Sequence, residues 1–121
     1  MKFHRLYAGP DGESHWREEQ VELQVREFAP PAQSIAISAL DPASASLFLR
    51  LKAGWDEPVH TSPIPQTLIC TKGAVRVTAS DGSFRDIGPG DIWRMEDTFG
   101  KGHHTQVVSP EDFECVIVQH G

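Results

Sequence analysis

The run Gly54-Trp55-Asp56-Glu57-Pro58-Val59-His60 closes on the one histidine whose surroundings look built around it, with Ser62, Gln66 and Gly73 following. A second glycine-punctuated stretch, Pro89-Gly90-Asp91 and then Gly100-Lys101-Gly102-His103, brings another imidazole. Imidazole is the commonest side-chain metal ligand, which makes these two histidines the first groups to weigh. Other catalytic patterns are missing: there is no Gly-x-Ser-x-Gly elbow, phosphate-cradling glycine loop, dinucleotide fingerprint or Cys-x-x-Cys pair. Cys70 could be a nucleophile on paper, but its apolar neighbours favour the inert thiol. His4, His15 and His120 have no comparable context and read as surface or packing residues.

The two-part spacing resembles the paired motifs of the cupin family. Gly54, His60 and Gly73 fall on the first motif, while Ser62 stands where its second histidine would be and Gln66 where its glutamate would be. Gly90-Asp91 supplies the turn of the second motif, and Gly100 precedes His103 at the family's spacing, although Gly90 and His103 lie further apart than usual. His103 is favoured over His104 because it keeps that spacing. The resemblance covers roughly residues 45 to 119.

This resemblance implies an all-β cupin double-stranded β-helix, a jelly-roll barrel, as a single domain over residues 1–121. Motif 1 would span about 54–73 and motif 2 about 90–107, with N-terminal strands within 1–45 completing the barrel or a dimer edge. It implies a divalent metal ion (Fe, Mn, Ni or Zn) held by His60, Gln66 and His103, a small polar molecule in the interior, and a homodimer. A glutamine in place of glutamate removes the charge that offsets the ion. Asp56, Glu57, Glu96 and Asp97 are the acidic residues near enough in sequence to restore it. The alternative is a metal-free, non-catalytic module that binds a small ligand in the same interior. Read without the motif, histidines in a β protein are as readily hydrogen-bonded structural residues.

At 121 residues the chain fits one domain. A formal net charge of −6 argues against a nucleic-acid partner and against anionic membranes, because neutralising phosphates needs a basic surface. Apolar stretches fall far short of the ~18 residues of a membrane span, and Met1-Lys2-Phe3-His4-Arg5 lacks the apolar block of a secretory signal, so a cytoplasmic location is expected. Cys70 and Cys115 sit in apolar runs and are expected as buried, reduced thiols.

The elements that must position these residues are short strands. Val21, Leu23 and Val25 alternate with Glu22, Gln24 and Arg26, as in a half-buried strand. Ile35 and Ile37 repeat the pattern, and Leu47, Leu49 and Leu51 alternate with Phe48, Arg50 and Lys52. A strand over about 66–72 leads into Val75 and Val77, which predicts a hairpin turning near Lys72-Gly73 with both faces of its first strand buried. Gln66, Leu68 and Cys70 would share one face of that strand. Asp81-Gly82 marks the next turn, and strands are expected around 83–86, 92–95, 104–108 and 113–119. Trp16 to Gln20 could hold one helical turn.

Overall fold

Period-two burial runs through most of the chain and dictates an architecture of strands without helices. The computed structural model describes residues 1–121. Its strands are β1 (Lys2–Ala8), β2 (Ser14–Gln20), β3 (Gln24–Arg26), β4 (Ile35–Ile37), β5 (Ala45–Leu51), β6 (Gln66–Lys72), β7 (Val75–Ala79), β8 (Phe84–Ile87), β9 (Ile92–Glu96), β10 (His103–Val107) and β11 (Phe113–Gln119). Six of them form a sheet in the order β2-β1-β9-β6-β11-β5, three form a second sheet β10-β7-β8, and β3-β4 is a separate hairpin.

The core lies between the two larger sheets. Leu68, Cys70, Trp93, Met95, Cys115 and Ile117 enter it from the six-stranded sheet, while Val75, Val77, Ala79, Ile87 and Val107 enter it from the three-stranded one. The expected all-β cupin architecture is present, as two opposed sheets that are not hydrogen-bonded into one closed barrel.

Several local expectations are corrected. β6 and β7 do not form a hairpin: β6 pairs with β9 and β11, and β7 pairs with β8 and β10. The chain instead turns from one sheet to the other at Gly73, whose φ is +72°; a Cβ there would stand 2.5 Å from the Asp112 carbonyl oxygen. Trp16 to Gln20 is extended in β2, because β1 supplies a full antiparallel partner from Lys2↔Gln20 to Ala8↔Ser14. The segment around Val25 is a three-residue strand exposed on both faces, since neither large sheet covers it. On β6 only the face of Gln66, Leu68 and Cys70 is buried; Ile69 and Thr71 look outward. Outward-facing Phe48, Val116, Ile69 and Ile92 lie in one cross-strand row, and Phe48 is 89% exposed.

What matters most for the site is the path of residues 55–60. Val107 N–H donates to Trp55 O (2.8 Å), Glu57 N–H to Thr105 O (3.4 Å), and His60 and His103 exchange two backbone bonds of 3.1 and 2.9 Å. This segment therefore runs along β10 as an irregular extra strand, with bridges at Asp56↔Gln106 and His60↔His103. Gly102 permits the last bridge. Its φ is +74°, and a Cβ at that position would collide with the His60 carbonyl.

Two measurements test this packing. Gly102→Ala should cost at least ~2 kcal/mol in urea unfolding, from left-handed strain plus collision. Gly82→Ala, at a positive φ but with open space around it, should cost only ~1–2 kcal/mol. Cys70 and Cys115 face each other in register and are both buried; desolvation raises both thiols, Cys115 to about 12. Native protein at pH 8 should accordingly resist alkylation by iodoacetamide, and unfolded protein should take two equivalents.

Candidate functional site

β10 alternates cleanly: His103, Thr105 and Val107 are buried, while His104 and Gln106 are half-exposed. His103 is 1% exposed and lines a cavity of about 150 Å³ between the sheets. His104 points away and pairs with Asp56 at 2.5 Å. Opposite His103, at the mouth, stands His60, its ring centroid 5.0 Å away. The backbone bridge between these two residues brings their rings to the same opening.

Each ring has one nitrogen already committed. His103 Nδ1 lies 2.6 Å from Asp97 Oδ2, and His60 Nδ1 lies 3.1 Å from the Pro58 carbonyl oxygen and 3.6 Å from Glu57 Oε1. Both partners accept, so each Nδ1 donates, and in the neutral ring that leaves Nε2 with its lone pair. That is the tautomer required of a metal-ligating or hydrogen-bond-accepting imidazole. Glu57 supplies the charge. Its carboxylate, His60 and His103 offer three donor atoms all within 4.8 Å of one another. Two imidazoles and a carboxylate make a donor set that could hold a divalent metal ion.

The four acidic candidates separate into different tasks. Glu57 joins the histidines. Asp97, fully buried, binds His103 through one oxygen and accepts a hydrogen bond from Ser62 Oγ (2.7 Å) through the other. Glu96 turns to the outside, where it pairs with Arg5 and Arg94. Asp56 serves His104. Ser62, at the position of the motif's second histidine, is 1% exposed and braces the carboxylate behind His103.

Gln66 lines the same cavity, and its carboxamide is engaged by protein: Nε2 donates to Met95 Sδ (3.3 Å) and Oε1 accepts from Gln119 Nε2 (3.2 Å). Trp93 forms part of the wall and meets His103 edge-on, with ring centroids 5.3 Å apart. Trp55 is partly exposed and does not line the cavity. Cys70 lies outside the cavity lining, with its thiol directed to the backbone carbonyls of Lys72 and Gly73. His4, His15 and His120 are occupied elsewhere, against Trp16, Asp81 and Thr67 respectively.

Solved structures share this fold. A cupin 2 conserved barrel domain protein from Salinispora arenicola superposes with a TM-score of 0.54 at 15% identity over 84% of this chain and 76% of that one. An RmlC-like cupin family protein with a double-stranded β-helix fold from Methanocaldococcus jannaschii gives 0.53 at 19% identity over 84% and 93%. A sugar phosphate isomerase from a cupin superfamily, from Silicibacter pomeroyi, gives 0.51 at 17% identity over 63% of this chain; the match spans about half (49%) of the isomerase. No protein-family model matches the sequence, and no curated protein matches it. The fold is the cupin fold, in a small, all-β chain.

The brace behind His103 has a measurable consequence. Ser62→Ala leaves one oxygen of a fully buried carboxylate without its donor, at an expected cost of about 1–3 kcal/mol in urea unfolding. Ser83→Ala, on an exposed turn, should cost far less.

Proposed function

We propose that this protein binds a divalent metal ion through Glu57, His60 and His103 and holds a small molecule in the adjoining cavity. The observation that carries the reading is the convergence of one carboxylate and two imidazoles at the cavity mouth, with the His103 ring held from behind by Asp97. Such second partners fix ring orientation and raise ligand basicity in metal sites. Glu57 takes the charge-balancing role that Gln66 lacks, reaching the histidines from the loop rather than from β6.

A divalent ion held there would supply Lewis-acid polarisation of an oxygen ligand. The protein's own part is positional. Asp97 and Ser62 hold His103 from the buried side, the backbone bridge holds His60 against it, and apolar side chains of the two sheets line most of the remaining cavity. Three protein donors leave coordination positions open to a small molecule.

Metal content and affinity decide the matter. Purified without chelator, the protein should carry close to one equivalent of divalent metal by elemental analysis. Glu57→Gln, His60→Ala and His103→Ala should each abolish stoichiometric binding, and Asp97→Asn should lower affinity roughly 10–100-fold by releasing His103 from its orientation. Gln66→Ala should stay within a few-fold of wild type, since the carboxamide already has two protein partners. Stoichiometric metal surviving both histidine substitutions would overturn the assignment. A metal-free protein whose melting temperature rises with a small ligand would establish the non-catalytic binding module instead.

A further inference from the structure

From the cavity's charge, lining and size we infer its ligand class: a small molecule with an apolar body of about six heavy atoms and a single oxygen-donor head group carrying at most one negative charge. Phosphorylated sugars are excluded. The inference rests on the metal-site reading for the position of the head group, while the discrimination rests on the cavity itself.

Charge comes first. No lysine or arginine lines the cavity. The basic side chains are spent outside it, as in Arg50 with Glu114, Arg76 with Asp86, Arg94 with Asp41 and Lys101 with Glu13. There is also no helix N-terminus to receive an anion. A divalent ion with one carboxylate and two neutral imidazoles leaves a single positive charge at the mouth, and Asp97 stands behind it. One negative charge on the ligand offsets the charge left by the ion and Glu57; the second charge of a phosphate dianion at the mouth would meet no cationic side chain and would face Glu57 and Asp97.

Lining and size agree. Beyond the histidines the wall is made by Leu51, Leu68, Val75, Met95, Phe113 and Ile117. Among the side chains lining that cavity, Gln66, Thr105 and Trp93 add polarity away from the mouth; the Gln66 carboxamide is already engaged, and the buried Trp93 indole N–H, which has no protein partner, is a single donor against the several hydroxyl groups of a sugar. A sugar ring would leave most of its hydroxyl groups without partners there, each at a cost of a buried unsatisfied group. The volume is about 150 Å³. A cavity of about that volume lined by Leu, Ile and Phe in another protein accepts benzene, which sets the scale of the body that fits. The head group then lies at the mouth, toward Glu57, His60 and His103.

Isothermal titration of the Co(II)-loaded protein with benzoate, cyclohexanecarboxylate and ribose 5-phosphate tests this, with the visible Co(II) spectrum reporting coordination. The two acids should bind at least 10-fold more tightly than ribose 5-phosphate and perturb the spectrum. Leu49→Phe, which narrows the cavity from its partly exposed wall, should weaken the acids at least 10-fold while leaving Co(II) affinity unchanged. Ribose 5-phosphate binding as tightly as the acids, or no binding of either acid at millimolar concentration, would overturn the inference. Should Co(II) itself fail to bind, the metal reading falls separately, and the same titrations on metal-free protein decide the ligand class: preference for the acids keeps it, and no preference ends it.

Discussion

Two backbone hydrogen bonds exchanged between His60 and His103 carry the architecture of the site. The bonds of Trp55 and Glu57 lay the start of this segment along β10, and the His60–His103 pair carries that register to the point where the two imidazoles meet. The bridge needs close backbone approach, and that approach needs Gly102, because any side chain there meets the His60 carbonyl. A glycine beside a functional histidine is thus a packing requirement at the contact between two strands. Gly100 works in the same way against Gly12, tying the second glycine-rich stretch to the turn between β1 and β2.

The sequence motif and the side-chain periodicities made different parts of this legible. Alternation and turn punctuation together located β6 and β11 at their observed bounds, placed β8, β9 and β10 within a residue, and started β5 two residues late. They gave no sheet membership. The supposed β6–β7 hairpin failed because a glycine between two alternating runs signals reversal, whether the next strand pairs with its neighbour or crosses to the facing sheet. β1 and β2 escaped notice because Lys2–Ala8 and Ser14–Gln20 mix charge into both faces and bury only Leu6 and Ser14 fully. Their identity as strands comes from pairing with each other and with β9, a long-range fact.

The site was legible in its histidines and obscure in its carboxylates. Spacing singled out His60 and His103, and strand parity on β10 explains why His103 faces the cavity while His104 does not. The roles of Asp56, Glu57, Glu96 and Asp97 could not be separated from one-dimensional proximity, since their distribution follows from which loop lies along which strand. Asp97 is buried because Ser62 N–H donates to its carbonyl and Ser62 Oγ to its side chain, contacts between residues 35 positions apart. The serine in the motif's second histidine position has a physical partner that the motif does not describe.

These observations place the stiff and the adaptable halves of the site on opposite sides of the cavity. His103 is 1% exposed, hydrogen-bonded to a fully buried aspartate and packed edge-on against Trp93, so its imidazole has little freedom. His60 has a side chain 46% exposed, and Glu57 lies on the same loop, held to β10 by backbone contacts. Rigid support of one ligand by packing and second partners is what maintains a site's geometry, while donors on a loop can follow the coordination that an incoming molecule completes. The carboxylate nearest the two imidazoles stands on that loop, and β6 carries the neutral Gln66. Charge is thereby supplied at the solvent side of the cavity, and the interior beneath Gln66 stays apolar.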